Sequence, residues 1–175
     1  MSRAAGRVIP PSSNTAGYTL IEMFVTVAAL VIVLGLMVSL ARYLRNRSGE
    51  VMTRAVLVRL DELMARYLSD QQAFPPVPSV HGADEYALQR SALANNQAFA
   101  AALKRSGGVE SPFSDIPVSL YDGQTVRDSW GRPIVFVPPG VAAVGILPQN
   151  RYFFYSAGPD RKYSTTEDNR YSYER

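Results

Sequence analysis

The sequence contains no cysteine and only one histidine, His81. Without cysteine, disulfides, Cys-ligated zinc and a thiolate nucleophile are excluded. Compartment is left open, since exported proteins need not use disulfides. His81 lies in a loop between Pro78 and Gly82, with no second histidine, which excludes a His-rich metal site and the usual Ser/His/Asp nucleophile. Proline is missing between Pro11 and Pro75, so nothing forbids one long helix from about Thr19 to about Gln72, with Gly35 and Gly49 as its weak points. Charge is missing from residues 23–41, MFVTVAALVIVLGLMVSLA, whereas the chain as a whole carries a net charge of only +3.

These gaps divide the chain. Residues 1–17 are polar, basic and broken by proline, and cannot join a core. Residues 18–41 are apolar over about the length a helix needs to cross a bilayer. From Arg42 to residue 73 the apolar positions become periodic: Val56, Leu57, Leu60, Leu63, Met64, Tyr67 and Leu68 follow helical spacing, with Arg59, Asp61, Glu62 and Arg66 between them. One stripe of this half is therefore expected to lie on a soluble domain spanning 74–175. There, Phe74-Pro75-Pro76-Val77-Pro78 stops the helix, and 84–105 predicts a second helix packing through Tyr86, Leu88, Leu93, Phe99 and Leu103, closed by Gly107-Gly108. Strands are expected at 117–121, 133–138 and 151–156, and the tail 157–175 is polar and rich in Tyr, Asp, Glu and Arg.

Arg42, Arg45, Arg47 and Arg54 follow the apolar span. Tyr43 alone among them is aromatic and makes no stacking platform, so nucleic acid is not expected as a partner, and lipid headgroups explain the run better.

The most informative stretch is Gly17-Tyr18-Thr19-Leu20-Ile21-Glu22-Met23. A carboxylate near the end of an uncharged membrane-length span needs a reason. Thr19 and Glu22 have the spacing of a capping box. Alternatively, Glu22 is a membrane-buried site. A third reading cuts the chain after Gly17, leaving an amine on Tyr18 for Glu22 of a neighbouring subunit to answer. An ordinary secretory signal fits less well, because its cleavage site follows the apolar region rather than preceding it.

Gly17-Tyr18-Thr19-Leu20-Ile21-Glu22, with its basic leader and apolar span, resembles the leader-cleavage motif of type IV prepilins and type II secretion pseudopilins. Tyr18 stands where the family usually has phenylalanine, and Ser39 where its major subunits commonly have proline. The resemblance implies cutting after Gly17 by a prepilin peptidase, N-methylation of Tyr18 and an assembly role for Glu22. It also implies partners: other copies, minor pseudopilins and an inner-membrane assembly platform. Farther on, Asp128-Ser129-Trp130-Gly131-Arg132-Pro133 looks like the Asp-x-Trp-Gly-x-Pro element of G-type pseudopilins. Ser156-Ala157-Gly158-Pro159-Asp160 and Glu167-Asp168-Asn169 resemble their calcium-binding loop, although Arg161 and Lys162 replace small or polar residues. That implies calcium held by Asp160, Asp168, Glu167 and Ser156, a donor set of the hard oxygens that calcium takes. The alternative is a solvated acidic turn. Trp130 is expected to anchor the core between strands.

The expected fold is α+β and pilin-like: a long N-terminal helix packed on a small antiparallel sheet. The expected function is a structural, non-enzymatic one. The subunit waits as a single-pass protein of the bacterial inner membrane with its domain in the periplasm, then enters a secretion pseudopilus. The alternatives are a minor pilin of a surface pilus, a ligand-binding module, and a tethered enzyme using Asp115, Asp122 or Asp128.

Overall fold

The computed structural model describes residues 17–107 and 111–174. The expected leader, apart from Gly17, and Gly108 of the helix-closing pair lie outside the described residues. Helix α1 runs Leu20–Gln71, α2 runs Glu85–Ser106, and three strands follow, β1 Val135–Val137, β2 Phe153–Ser156 and β3 Arg170–Tyr171. The chain divides after Arg42 into two compact units.

In the first unit α1 is long and apolar enough to cross a membrane. Its side chains from Leu20 to Arg42 are all exposed. In the second unit, α1 buries Val56, Leu57, Leu60, Leu63 and Met64 of the predicted stripe, Tyr67 and Leu68 are half-buried against the same core, and the buried face extends to Gly49 and Thr53, which the periodicity does not include. Gln72 closes α1 with a positive φ of 52°.

Helix α2 starts at Asp84, whose carboxylate accepts the amide of Ala87 at 2.7 Å, a side-chain N-cap. Lys104 and Arg105 lie in its last turn, where the helix dipole favours cations. The sheet is antiparallel in the order β1-β2-β3. All residues of β1 and β2 are buried, so alternate side chains feed two clusters. Phe136 and Phe154 join the α1 stripe and α2 through Phe99, whose ring lies 5.2 and 5.1 Å from theirs. On the other side Val135, Val137, Phe153 and Tyr155 pack with Leu88, Ala92, Tyr163 and Tyr171. Helix α2 thus contributes to both clusters.

What fastens α2 to the sheet is polar. Asn95 donates to the carbonyls of Pro78 and Phe136 at 2.8 and 2.9 Å, and its Oδ1 accepts the Phe136 amide at 2.9 Å. Asn96 donates to the carbonyls of Val126 and Ile134 at 2.9 and 2.6 Å and accepts the Val126 amide at 2.9 Å. Each side-chain amide takes the place of a neighbouring strand's backbone. The edge of β1, which an open sheet leaves without a partner, is satisfied by Asn95.

Three sequence expectations need correction. Residues 117–121 form turns, not a strand, and only Tyr121 bridges, to Val126. Pro117 and the Leu120 and Tyr121 amides bonded to its carbonyl fold this segment on itself. Tyr86 is 69% exposed and lies on the outer face of α2, its ring stacked under the Arg90 guanidinium at 5.0 Å. The polar tail also forms β3, because its tyrosines supply the burial that aliphatic residues supply elsewhere: Tyr163 and Tyr171 are both buried.

Asn96→Ala leaves the Val126 amide and the Ile134 carbonyl buried without their partner, at about 1–3 kcal/mol each. Urea unfolding of the soluble unit 43–175 should register a loss of about 2–6 kcal/mol. Asn96→Asp, which turns an acceptor on both carbonyls, should be no milder. A change in the midpoint worth less than about 1 kcal/mol would remove this clamp from the account of the fold.

Candidate functional site

Gly17, Tyr18 and Thr19 precede the first turn of α1 without helical structure, and Tyr18 is 77% exposed. Thr19 caps the helix: its Oγ1 accepts the Glu22 amide at 3.3 Å and its carbonyl accepts the Met23 amide at 3.2 Å. The capping half of the Thr19–Glu22 spacing is therefore formed. Glu22 sits in the first turn, where the helix dipole favours an anion. Its side chain is exposed, and among the described residues it meets no cation. Thr26 turns its hydroxyl back onto the carbonyls of Glu22 and Met23 at 3.0 and 2.9 Å, which removes a polar group from the apolar surface.

Within the second unit, the face of α1 turned away from the core is also apolar. Leu44, Val51 and Val58, spaced by seven, are 55%, 67% and 55% exposed, and Met52 and Ala55 lie beside them. Leu44, Arg47, Ser48, Val51, Met52 and Ala55 line a shallow groove along the helix.

The two C-terminal motifs that the sequence presents separately meet in the structure. Asp128 is buried. Its Oδ1 accepts the amides of Trp130 and Arg132 at 3.0 and 2.8 Å, and its Oδ2 accepts the Ser156 hydroxyl at 2.6 Å. Ser156 Oγ in turn accepts the Gly158 amide at 3.0 Å. Burial pushes the Asp128 carboxyl above its ordinary range, while the Ser156 hydroxyl and the two amides pull it back. Nearby, the Tyr163 hydroxyl donates to the Pro133 carbonyl at 2.6 Å, and burial raises it well above a free phenol.

This network sets a turn against α1. Ser129 and Thr53 hydrogen-bond at 3.1 Å, through the Thr53 hydroxyl to the Ser129 hydroxyl and from the Ser129 amide to Thr53 Oγ1. A Cβ at Gly49 would lie 3.3 Å from the Trp130 ring and from Ser129 Cβ. Gly49 is thus a docking point for the turn as well as a weak helix former. Trp130 is half-buried against α1 rather than anchored between strands, because Asp128 folds 128–132 into a turn.

Of the four residues expected to hold calcium, Ser156 is buried and directed to Asp128. Asp160 Oδ1 accepts the Lys162 amide at 2.9 Å, Asp168 is half-buried and Glu167 is exposed. Gly158, at φ 69°, is packed on the Asp168 carbonyl so closely that a Cβ there would fall 1.9 Å from its oxygen, which draws the ends of the 158–168 loop together. Among the described residues, no three acidic or histidine side chains gather closely enough to hold an ion. Protein groups also tie this tail to the rest of the unit. Glu85 at the start of α2 accepts the Tyr163 amide at 2.9 Å and the Ser164 hydroxyl at 3.0 Å. Arg170 Nε donates to Glu50 Oε1 on α1 at 3.0 Å. Burial alone would raise the Glu50 carboxyl, but Arg170 and Arg54 hold it below its ordinary value.

Each acid considered for catalysis has partners of its own. Asp115 pairs with Arg59 at 2.5 Å, and Asp122 accepts the amides of Gln124 and Thr125 and pairs with Arg127. Asp128 has the structural bonds given above. Sequence reasoning missed the Asp128–Ser156 bond because no spacing rule links residues 28 positions apart.

No protein-family model matches the chain, and no characterised protein or solved structure is detectably similar to it.

Asp128→Asn keeps both amide bonds and turns the third into a donation to Ser156, whereas Asp128→Ala leaves a buried hydroxyl and two amides unsatisfied. Thermal melts should show Ala far below wild type, by about 2–4 kcal/mol, and Asn close to it. The pH dependence is distinct. A folded-state value above the unfolded one favours folding while the acid is protonated, and this contribution is lost as pH rises through the folded value. Wild type should therefore lose stability relative to Asp128→Asn across that window; parallel pH profiles would refute the assignment.

Proposed function

We propose that the chain is a pseudopilin-type structural subunit, a single-pass protein of the bacterial inner membrane. It would be cut after Gly17 by a prepilin peptidase and methylated on Tyr18. The unit 43–175 would lie in the periplasm until the subunit enters a type II secretion pseudopilus. The observation that carries this reading is the uncovered apolar face of α1 beyond its membrane-length part. Leu44, Val51, Met52 and Val58 stay exposed while Val56, Leu57 and Leu60 on the other face are buried. A simple anchor needs no apolar surface past the bilayer; a helix that packs among its own copies does.

Glu22 supports the same reading. It is an exposed acid in the first helical turn, four residues after Tyr18, where it is open to a new amine on a neighbouring copy. Thr19 capping does not compete with this, because the cap uses the Glu22 backbone amide and leaves its carboxylate available.

Mass spectrometry of protein extracted from membranes should find a mature chain starting at methylated Tyr18. A chain still starting near Met1, or starting after residue 41, would end the proposal. Glu22→Gln should insert normally but enter filaments poorly, whereas Thr19→Ala, which removes the cap and keeps the charge, should assemble far better. Equal defects in the two would return Glu22 to a capping role.

Calcium at Asp160, Glu167 and Asp168 is a separate proposal, supported by the close approach of the two ends of the 158–168 loop. With calcium at a hundredfold its dissociation constant, the unit 43–175 should gain about 2.7 kcal/mol, lost on chelation and in Asp168→Ala. Magnesium should substitute poorly. An unchanged melting temperature on chelation would leave a solvated turn.

A further inference from the structure

Arg45 and Arg47 follow the apolar span, and both are exposed. Among the described residues neither meets a carboxylate: the nearest acid along the helix, Glu50, is held by Arg54 at 3.3 Å and Arg170 at 3.0 Å. Two residues apart on a helix, they point about 200° from each other while differing by only about 3 Å along its axis. They therefore project to opposite sides at one level. A protein partner docking on one face of α1 could take one of them, not both. A planar layer of anions surrounding the helix takes both.

Two further features fit that layer. The Arg47 Nη1 donates to the Tyr43 hydroxyl at 3.2 Å, and Tyr43 is 58% exposed. This places an amphipathic ring beside the cation, the type of residue enriched where hydrocarbon meets headgroups. Residues 20–41 as a helix measure about 33 Å, close to the hydrocarbon thickness of about 30 Å, so the arginines fall in the adjoining headgroup layer.

We infer that Arg45 and Arg47 form a ring that binds the phosphates of anionic phospholipids in the leaflet facing the folded unit and fixes the depth of the helix. The inference rests on the membrane-anchor reading above and adds the lipid class. It also accounts for a placement that otherwise runs against expectation: arginine is depleted on the translocated side of a single span, and here it is concentrated there. Phosphate on both sides of the helix offsets that cost with charge-assisted bonds.

The test uses the full chain in nanodiscs holding equal amounts of phosphatidylcholine and phosphatidylglycerol, with the lipids retained on the protein counted by native mass spectrometry. Phosphatidylglycerol should be enriched by about fivefold per arginine, and less as salt shortens the screening length. Arg45→Gln/Arg47→Gln should cut the enrichment by about fivefold for each arginine removed, leaving only what Arg42 supplies, while Arg45→Lys/Arg47→Lys should retain most of it, with helix content by circular dichroism unchanged in both. Equal retention of the two lipids, or enrichment undiminished in the double glutamine variant, would overturn the inference. So would displacement of the lipid by millimolar inorganic phosphate, which would mark a site for free anions, or by an oligonucleotide, which would mark a nucleic-acid surface. Extraction of the chain from vesicles by alkali would overturn the membrane anchor itself; an integrated chain without lipid preference would overturn this inference alone.

Discussion

Two adjacent asparagines hold the folded unit together. Asn95 and Asn96 lie on a helix, yet their amides bond like the backbone of a strand, to Phe136 on one side and to Val126 and Ile134 on the other. The sheet beside them has only three short strands, too few to satisfy its own edges or enclose a core alone. With the asparagines in place, α2 can lie against β1 without leaving buried peptide groups stranded. The aromatic packing of Phe99 on Phe136 and Phe154 then follows from that seat. Hydrophobic burial supplies most of the driving force, and these polar bonds select the one arrangement in which it is collected.

A second polar centre performs the same service in the turn between Val126 and Ile134. Asp128 draws Trp130, Arg132 and Ser156 to one carboxylate, and the turn so formed rests on Gly49 and Thr53 of α1. Motifs that look like separate signatures in the sequence are two halves of one joint. The Ser156 hydroxyl is occupied by this joint, which is why it does not turn toward Asp160.

What was legible in the sequence was periodic or local. The run without proline and charge marked α1, its seven spaced apolar residues marked the face turned to the core, five of them buried, and the stretch 84–105 marked α2. The apolar stretches at 133–138 and 151–156 contained β1 and β2. The rest was illegible for definite reasons. Buried asparagines read as surface residues because their partners are 17 to 41 positions away. Strand β3 is two residues long, below any pattern that alternation can reveal. Of the candidate site, Gly17, Tyr18 and Glu22 stood out because a short contiguous motif carries them, whereas the uncovered Leu44–Val51–Val58 face became visible only once the opposite face was seen to be buried.

The bond between Glu50 and Arg170 joins residues 120 positions apart. Ribosomes deliver the chain from its N-terminus, so Glu50 emerges long before Arg170 exists. Helix α1, whose bonds are local, can form as it is made, but the unit it supports cannot close until Arg170 has left the exit tunnel. During that interval the core stripe of α1 from Val56 to Met64 has no sheet to cover it. The apolar N-terminal segment would by then be available for capture by a membrane. The delay between making the helix and completing the domain thus separates two processes in time, and leaves the unfinished stripe to be shielded until the tail arrives.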